Sequence, residues 1–179
     1  MDYSTNLENL DSTKKYWLDD AKKLVTSLSK VYGDITLVKL SQQFEATTSF
    51  EKKLLGYDET LIRKITLSSS TEKLVFARTV IPQNTYAFFT AELNDLGTKP
   101  IGDNFLFDKN RFSRNDFIIR KLSRDVFEKE AAIDTHLFDD NEIENIYSRS
   151  SVFSFKENIS LKMLITEYFI VMPETTNAN

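Results

Sequence analysis

Three charged residues, Arg63, Arg78 and Glu167, fall in the apolar stripes of predicted β-strands. In a strand, every second side chain points to the same face. By that period Arg63 shares its face with Leu61, Ile65 and Leu67, and Arg78 shares its face with Leu74, Phe76 and Val80. Glu167 shares its face with Met163, Ile165, Phe169 and Val171. Removing an ion from water costs several kcal/mol unless partners compensate. Two arginines and one glutamate aimed into a core therefore predict either a buried ion-pair cluster or a pocket for a charged ligand.

Each arginine also has a simpler interpretation. At the edge of a sheet, the aliphatic stem of an arginine can lie on the apolar surface while its guanidinium reaches water. For one residue that arrangement would be preferred, but three charges of both signs on apolar faces make a shared pocket an equal alternative. Glu167 lies on the strand with the strongest signal, since Ile165 and Phe169 flank it on its own face.

A second grouping surrounds His136, the single histidine, with Asp134, Asp139 and Asp140, which in principle could hold a divalent metal. Their spacing matches neither an EF-hand loop nor a zinc signature, so a solvated acidic face is the preferred interpretation. The sequence has no G-x-S-x-G elbow, P-loop or dinucleotide glycine motif. Residues 97–102 could form a phosphate loop, but two glycines around a proline more often mark a turn. We therefore predict no metal and no cofactor.

The composition indicates a single globular domain spanning residues 1–179, with residues 1–11 and 174–179 as disordered tails. The net charge of -4 argues against a general nucleic-acid or membrane-surface binder, although it is compatible with a local basic pocket. The absence of cysteine excludes disulfides and thiolate chemistry. No signal-peptide or membrane-span pattern is present, so a cytoplasmic location is expected by default.

Hydrophobic periodicity and turn residues predict an α+β fold built on an antiparallel sheet with flanking helices. Helices are predicted over 12–31 and 84–96, each followed by a glycine, and residues 45–55 are ambiguous between loop and a short helix ended by Gly56. The acidic stretch 124–145 could form one or two short surface helices or a loose excursion. Strands are predicted over 35–44, 61–67, 74–82, 112–122, 147–155 and 161–171, with hairpins joining the second to the third and the fifth to the sixth.

Four stretches together carry a family resemblance over most of residues 17–173. They are Trp17-Leu18 with Leu24, Leu28 and Phe44; Leu61-Ile-Arg-Lys-Ile-Thr-Leu67; Ala77-Arg-Thr-Val-Ile-Pro82 with Leu96-Gly-Thr-Lys-Pro-Ile-Gly102 and Leu106-Phe107; and Leu164-Ile-Thr-Glu-Tyr-Phe169. The last three resemble the L-R-E-[VI]-x-L, R-T-V-[IV]-P, L-G-x-x-P-L-G-x-x-L-F and L-L-T-E-x-F-L-P motifs of the chorismate pyruvate-lyases. The sequence departs from the pattern at Lys64, where glutamate is common, at the displaced Pro173, and in an apparent insertion within 123–146.

The resemblance implies a sheet of about six antiparallel strands whose helices and flap-like loops enclose a buried pocket for an aromatic acid. Carried over residue by residue, it implies ligand contacts from Arg63, Glu167, Leu24 and Ile101. The family has methionine at the position of Leu24 and leucine at that of Ile101. Arg78 matches an arginine associated with the active-site region.

The implied activity is conversion of chorismate to 4-hydroxybenzoate and pyruvate at the entrance to ubiquinone synthesis, with no metal or redox cofactor. We expect Arg63 to hold the ring carboxylate, because arginine binds carboxylates through two parallel hydrogen bonds. Arg78 would favour the enolpyruvyl carboxylate as charge develops on the leaving group. Glu167 would face the ring hydroxyl and position or accept a proton. The expected partners are small molecules, with no nucleic acid and no membrane, and a monomer is favoured although the oligomeric state is open.

Two other functions fit the same pocket. One is a non-catalytic sensor or carrier of aromatic acids, since ligand-binding domains of some bacterial transcription regulators share the lyase fold. The roughly 16 residues before Trp17 are too few for a winged helix, which argues against a complete regulator. The other is a relative that acts on a different aromatic or enolpyruvyl acid.

Overall fold

The computed structural model describes residues 7–133 and 145–176. Its centre is one seven-stranded antiparallel sheet, with the strand order β1-β2-β3-β7-β6-β4 and β5 also paired to β6. The predicted α+β class is confirmed, with seven strands rather than about six. The strands are β1 Thr36–Ala46, β2 Glu59–Ser68, β3 Lys73–Ile81, β4 Phe112–Arg114, β5 Ile118–Ser123, β6 Asn145–Phe155 and β7 Asn158–Phe169.

The stretch 112–122, predicted as one strand, is divided into β4 and β5 by residues 115–117. Asn115 is the cause. Its backbone N–H donates to the carbonyl of Val152, and its side-chain Oδ1 accepts from the N–H of Val152 at 2.7 Å. Because the side chain takes the place of a backbone acceptor, the regular ladder stops there and β6 pairs with two short strands instead of one.

In the described part of the chain, six α-helices, three short 3₁₀ or π-helical turns and their connections surround the sheet. The helices are α1 Ser12–Lys15, α2 Leu24–Tyr32, α3 Ser49–Leu55, α4 Gln83–Phe88, α5 Thr90–Asp95 and α6 Arg124–Ala131, and the turns are Leu7–Asn9, Tyr16–Asp20 and Gly102–Leu106. The ambiguous segment before Gly56 is helical in α3. Thr48 and Glu51 form a reciprocal capping box at its start, and Gly56 ends it at φ 84°.

Both long helices predicted from periodicity are interrupted. Between Asp20 and Leu24 the chain leaves helical geometry at Ala21 (ψ 69°), which separates α2 from the π-helical turn that buries Trp17. Between α4 and α5 the break is at Phe89 (φ -108°, ψ 27°), and the Thr90 hydroxyl donates to the carbonyl of Tyr86 at 2.8 Å. In both places burial of an aromatic ring outweighs continuation of the helix.

The two faces of the sheet have separate cores. One face carries an aromatic cluster at one end, which includes Phe89, Phe112 and Phe155, and a second cluster around Trp17 and Leu28 at the other end. The opposite face packs Phe76 and Tyr168 against α6. No helix within the described residues is long and apolar enough to cross a membrane. His136 and its acidic neighbours lie outside the described residues.

The segment after β7 contacts the first helical segment of the chain. The indole Nε1 of Trp17 donates to the carbonyl of Thr175 at 2.9 Å, so the segment after β7 lies against the first helical segment. This contact lies in a stretch that the sequence suggested would be a disordered tail. Asp11, at the end of the other predicted tail, caps α1 through the N–H of Lys14.

Candidate active site

A narrow pocket lies between the two core clusters of one sheet face. Its floor consists of β2, β3 and β7, and its other walls are α2 and the segment 100–107. The cavity measures about 50 Å³. Three of the four predicted ligand-contacting residues, Leu24, Ile101 and Glu167, line it together. The rest of the lining is mostly apolar: Val25, Ile65, Leu67, Ala77, Thr79, Pro100, Gly102, Asp103, Phe107 and Ile165.

Glu167 is held at the pocket by a partner that the sequence analysis did not identify. Arg149 of β6 is directly opposite Glu167 in the β6–β7 register, and its Nε donates to Glu167 Oε2 at 2.5 Å. The arginine is fully buried, donates from Nη1 to the carbonyl of Trp17 at 2.7 Å, and lies 4.4 Å from the ring centre of Phe117. These contacts fix the carboxylate on the sheet, while its second oxygen has no hydrogen-bond partner among the described residues.

Arg63 lies on the same sheet face as Glu167, at the opposite end of the apolar pocket floor. It is opposite Thr79, which lines the pocket, and two residues along β2 from Ile65, which also lines it. From strand spacings of about 4.8 Å and a rise of about 3.4 Å per residue, the Cα atoms of Arg63 and Glu167 are roughly 12 Å apart. The two residues therefore flank the apolar floor rather than contact each other.

The guanidinium of Arg63 is bonded only to neutral oxygens in the described chain. Nη1 donates to Gln42 Oε1 at 3.1 Å and to the carbonyl of Gly97 at 2.9 Å, and Nη2 donates to the carbonyl of Lys99 at 3.1 Å. The residue is 2% exposed, and burial lowers the pKa of its guanidinium. Since arginine stays protonated in proteins, a buried cation without a carboxylate partner lies directly beside the 100–107 wall of the pocket.

Arg78 lies on the opposite face of the sheet from Arg63 and Glu167. The three predicted charges therefore do not share one pocket. It faces Lys64 and Thr166, whereas its chain neighbours Ala77 and Thr79 point to the pocket. Arg78 Nε donates to Glu51 Oε1 at 2.5 Å, and Nη2 donates to Glu51 Oε2 at 3.2 Å. This is the buried ion-pair arrangement that the sequence left as the alternative to a pocket.

The ion pairs on this second face extend beyond Arg78. Lys64 Nζ lies 2.6 Å from Glu45 Oε2, so the residue that departs from the family motif is itself buried and has a half-buried structural partner. Further along the face, Arg120 forms two 2.8 Å hydrogen bonds to Glu130, and the Tyr168 hydroxyl donates to Glu130 at 2.9 Å. Burial, followed by the charge of Glu130, raises the pKa of Tyr168 well above its usual value.

Two functional candidates were missed from the sequence, Arg149 and Arg114. A signal for Arg149 was present, because it shares its face of β6 with Tyr147, Phe153 and Phe155 in the same pattern that identified Arg63. Arg114 carries no such signal, since β4 is only three residues long. Burial, and then the charge of Arg149, lower the pKa of Arg114, while Glu167 acts in the opposite direction, so these three charges lie close enough to interact.

The sequence model of a family described as chorismate lyase matches residues 2–177. The chain belongs to the chorismate lyase family. The resemblance drawn from the four motif stretches is therefore confirmed.

Two relatives within the chorismate lyase family extend over most of the chain. A protein of Pseudoalteromonas atlantica named probable chorismate pyruvate-lyase is 29% identical over 161 residues, which cover 86% of this chain and 77% of the relative. A protein of Coxiella burnetii with the same name is 29% identical over 165 residues, which cover 88% and 83% of the two chains. The family model, over residues 2–177, includes the strands that carry Arg63 and Glu167.

The fold of this chorismate lyase family member also resembles solved domains of different function. The effector-binding domain of the Bacillus subtilis trehalose repressor matches with a TM-score of 0.52 and 11% identity, over 75% of this chain and 89% of that domain. The C-terminal domain of the histidine utilization repressor of Pseudomonas syringae matches with a TM-score of 0.53 and 9% identity, over 82% and 96%. At such identities the likeness concerns the fold alone.

Proposed function

We propose that this protein is a chorismate pyruvate-lyase that converts chorismate to 4-hydroxybenzoate and pyruvate. The observation that carries the proposal is the pair of groups at the two ends of the apolar pocket. Beside the lining at one end is the buried Arg63 guanidinium, whose partners within the described residues are neutral oxygens, and at the other end is the Glu167 carboxylate held by Arg149. A flat ring with a carboxylate at one end and a hydroxyl at the other is complementary to this arrangement.

The reaction is an elimination that the chain's own residues can assist. Arg63 binds the ring carboxylate and aligns the ring along the pocket. The carbon that bears the ring hydroxyl loses its proton, the bond from the neighbouring carbon to the enolpyruvyl oxygen breaks, and the ring becomes aromatic. The enolpyruvate that leaves takes up one proton and becomes pyruvate. Glu167 accepts or positions the proton, and Arg149 keeps its carboxylate in place.

Arg78 has no place in this scheme, because it lies across the sheet from the pocket. We assign it instead to the ion pair with Glu51, which joins β3 to α3. The enolpyruvyl carboxylate, which the sequence analysis assigned to Arg78, therefore requires a different cation on the pocket side.

Substrate entry requires movement of the segment 100–107. A dry cavity of about 150 Å³ accommodates benzene, so a cavity of about 50 Å³ is too small for a substituted ring. Arg63 links this movement to binding, because the same guanidinium that would receive the substrate carboxylate now holds the carbonyls of Gly97 and Lys99. A carboxylate is the stronger acceptor, so substrate would replace those bonds and release the adjoining wall.

The decisive experiment incubates purified protein with chorismate and measures pyruvate and 4-hydroxybenzoate as separate products. Equal amounts of both are expected. Glu167→Gln should slow the formation of both about 10²- to 10⁴-fold, whereas Glu157→Gln, in the exposed β6–β7 turn, should not. Binding of 4-hydroxybenzoate without turnover would support a sensor instead. Formation of pyruvate with another aromatic product would keep chorismate as the substrate but change the product of the elimination. A role at the entrance to ubiquinone synthesis and a cytoplasmic location accompany the proposal.

A further inference from the structure

A cationic groove adjoins the candidate active site. Among the described residues, its charged lining consists of Lys22, Lys23, Lys109, Arg114 and Lys156, which are basic, and Asp116, which is acidic. The formal charge of these side chains is +4, or +3 when the salt bridge of Lys22 to Asp19 is counted, against a net charge of -4 for the whole protein. The groove encloses about 560 Å³, which is within the range of about 300–1,000 Å³ usual for small-molecule sites.

Arg114 is the groove cation that packs against three aromatic rings. Its guanidinium carbon lies 4.7 Å from the ring centre of Phe117, 5.6 Å from that of Phe153 and 5.7 Å from that of Phe107. Its Nη1 donates to the carbonyl of Lys22 at 3.1 Å, and no carboxylate within the described residues forms a salt bridge with it. Aromatic contacts thus hold a half-buried guanidinium whose charge is not neutralised.

The groove and the pocket share one wall. Phe107 lines both cavities, so its ring separates them. Phe117 contacts the guanidinium of Arg114 from the groove and that of Arg149, the partner of Glu167, at 4.4 Å. A ligand in the groove would therefore lie one aromatic side chain away from the pocket.

We propose that the groove captures the dicarboxylate substrate at the mouth of the pocket and discriminates in its favour against the monocarboxylate aromatic product. This inference rests on the proposed lyase function. The attraction of a cationic cleft for a ligand is proportional to the ligand's charge, so a dianion gains about twice the electrostatic free energy of a monoanion. Elimination divides the two carboxylates between two products, and each product is then held by the groove with about half of that attraction. Arg114 supplies the cation for the second carboxylate.

The test compares charge reversal in the groove with charge reversal elsewhere. Lys109→Glu should lower kcat/KM for chorismate about three- to tenfold at low ionic strength while kcat stays unchanged, and the difference from wild type should disappear as salt is added. Lys39→Glu is the matched control, because β1 lies at the opposite edge of the sheet from β4 and this exposed lysine changes the net charge equally. It should leave kcat/KM within about twofold of wild type, as expected for a distant, screened charge.

Binding of the monoanionic product, 4-hydroxybenzoate, supplies a second measurement. If Lys109→Glu lowers kcat/KM tenfold, the dissociation constant of 4-hydroxybenzoate should rise only about threefold, since the effect on the logarithm is proportional to charge. Equal effects on both ligands, or equal behaviour of Lys109→Glu and Lys39→Glu, would overturn the capture role while wild-type turnover still supports the lyase. Absence of turnover by the wild-type protein would refute the lyase and the capture role together.

Discussion

Arg149 and Glu167 lie directly opposite each other on β6 and β7, and a 2.5 Å hydrogen bond from Nε to Oε2 joins them. The arginine is 1% exposed and the side chain of the glutamate 16% exposed, so the pair is largely removed from water but open to the pocket on one side. Neither residue can be changed alone without leaving a buried charge uncompensated. The pair therefore links the stability of the sheet to the chemistry of the site.

A double-mutant cycle should reveal this coupling. Either Arg149→Met or Glu167→Gln alone is expected to lower the free energy of unfolding by about 3 kcal/mol, because each leaves its partner unpaired. The double variant should lose at least 1 kcal/mol less than the sum of the two, as is usual for contacting pairs. Urea unfolding of the four proteins measures this, and additive losses would contradict the coupling. Both single variants should also lose turnover, by about 10²- to 10⁴-fold for Glu167→Gln as general base.

Arg63 should be needed for its shape as well as its charge. Arg63→Lys keeps the cation but can no longer form two parallel hydrogen bonds with a carboxylate. We expect kcat/KM for chorismate to fall about 10- to 100-fold, which corresponds to about 1.4–2.8 kcal/mol of binding in the transition state. Steady-state kinetics checks this. Near-normal kcat/KM in Arg63→Lys would show that Arg63 serves only to hold the loop at Gly97 and Lys99.

Arg78 is predicted to matter for stability and not for the chemistry. Arg78→Met leaves the buried Glu51 without its principal partner, so the free energy of unfolding should fall by about 3–5 kcal/mol. Because the side chain lies on the face away from the pocket, kcat per folded molecule should stay within about threefold of wild type. Activity is to be measured at low temperature and normalised to the folded fraction from circular dichroism. A hundredfold loss in the folded protein would place Arg78 in the reaction after all.

Tyr168 should make the protein alkali-sensitive. Burial and then Glu130 raise its pKa above that of the unfolded chain, near 10, so the folded state retains a proton that the unfolded state loses. The contribution is fully present below about pH 10 and is lost as the pH rises toward the folded pKa, at up to about 1.4 kcal/mol per pH unit. Urea unfolding between pH 9 and 11.5 should show a steeper decline for wild type than for Tyr168→Phe. Parallel declines would contradict the shift.

Gly102 should be required for the position of Phe107. A Cβ at residue 102 would lie 2.5 and 2.6 Å from two atoms of the Phe107 ring, so Gly102→Ala must displace the ring that separates pocket from groove. We expect a loss of about 1–3 kcal/mol in unfolding free energy and a raised KM for chorismate. Phe107→Leu in the same chain removes the clashing atoms and should restore most of the stability. Failure of that restoration would show that the cost arises elsewhere.

Local sequence patterns predicted most of the elements. The period of two identified the strands that carry Arg63, Arg78 and Glu167, and the glycines at 33 and 56 marked where α2 and α3 end. The interrupted helices were not predicted, because hydrophobic spacing continues through Ala21 and Phe89 although the backbone does not. There, aromatic burial in the tertiary structure outweighs helix propensity, which contributes less than about 1 kcal/mol per residue.

By itself, the sequence identified three of the charges that point away from solvent, Arg63, Arg78 and Glu167, and, through its motifs, the family. Which face of the sheet each charge occupies was decided by the tertiary structure. Periodicity relates residues within one strand, but a shift of one residue in strand pairing moves a side chain to the other face. The β2–β3–β7 register therefore puts Arg63 and Glu167 on the pocket side and Arg78 on the other, and the β6–β7 register pairs Glu167 with Arg149.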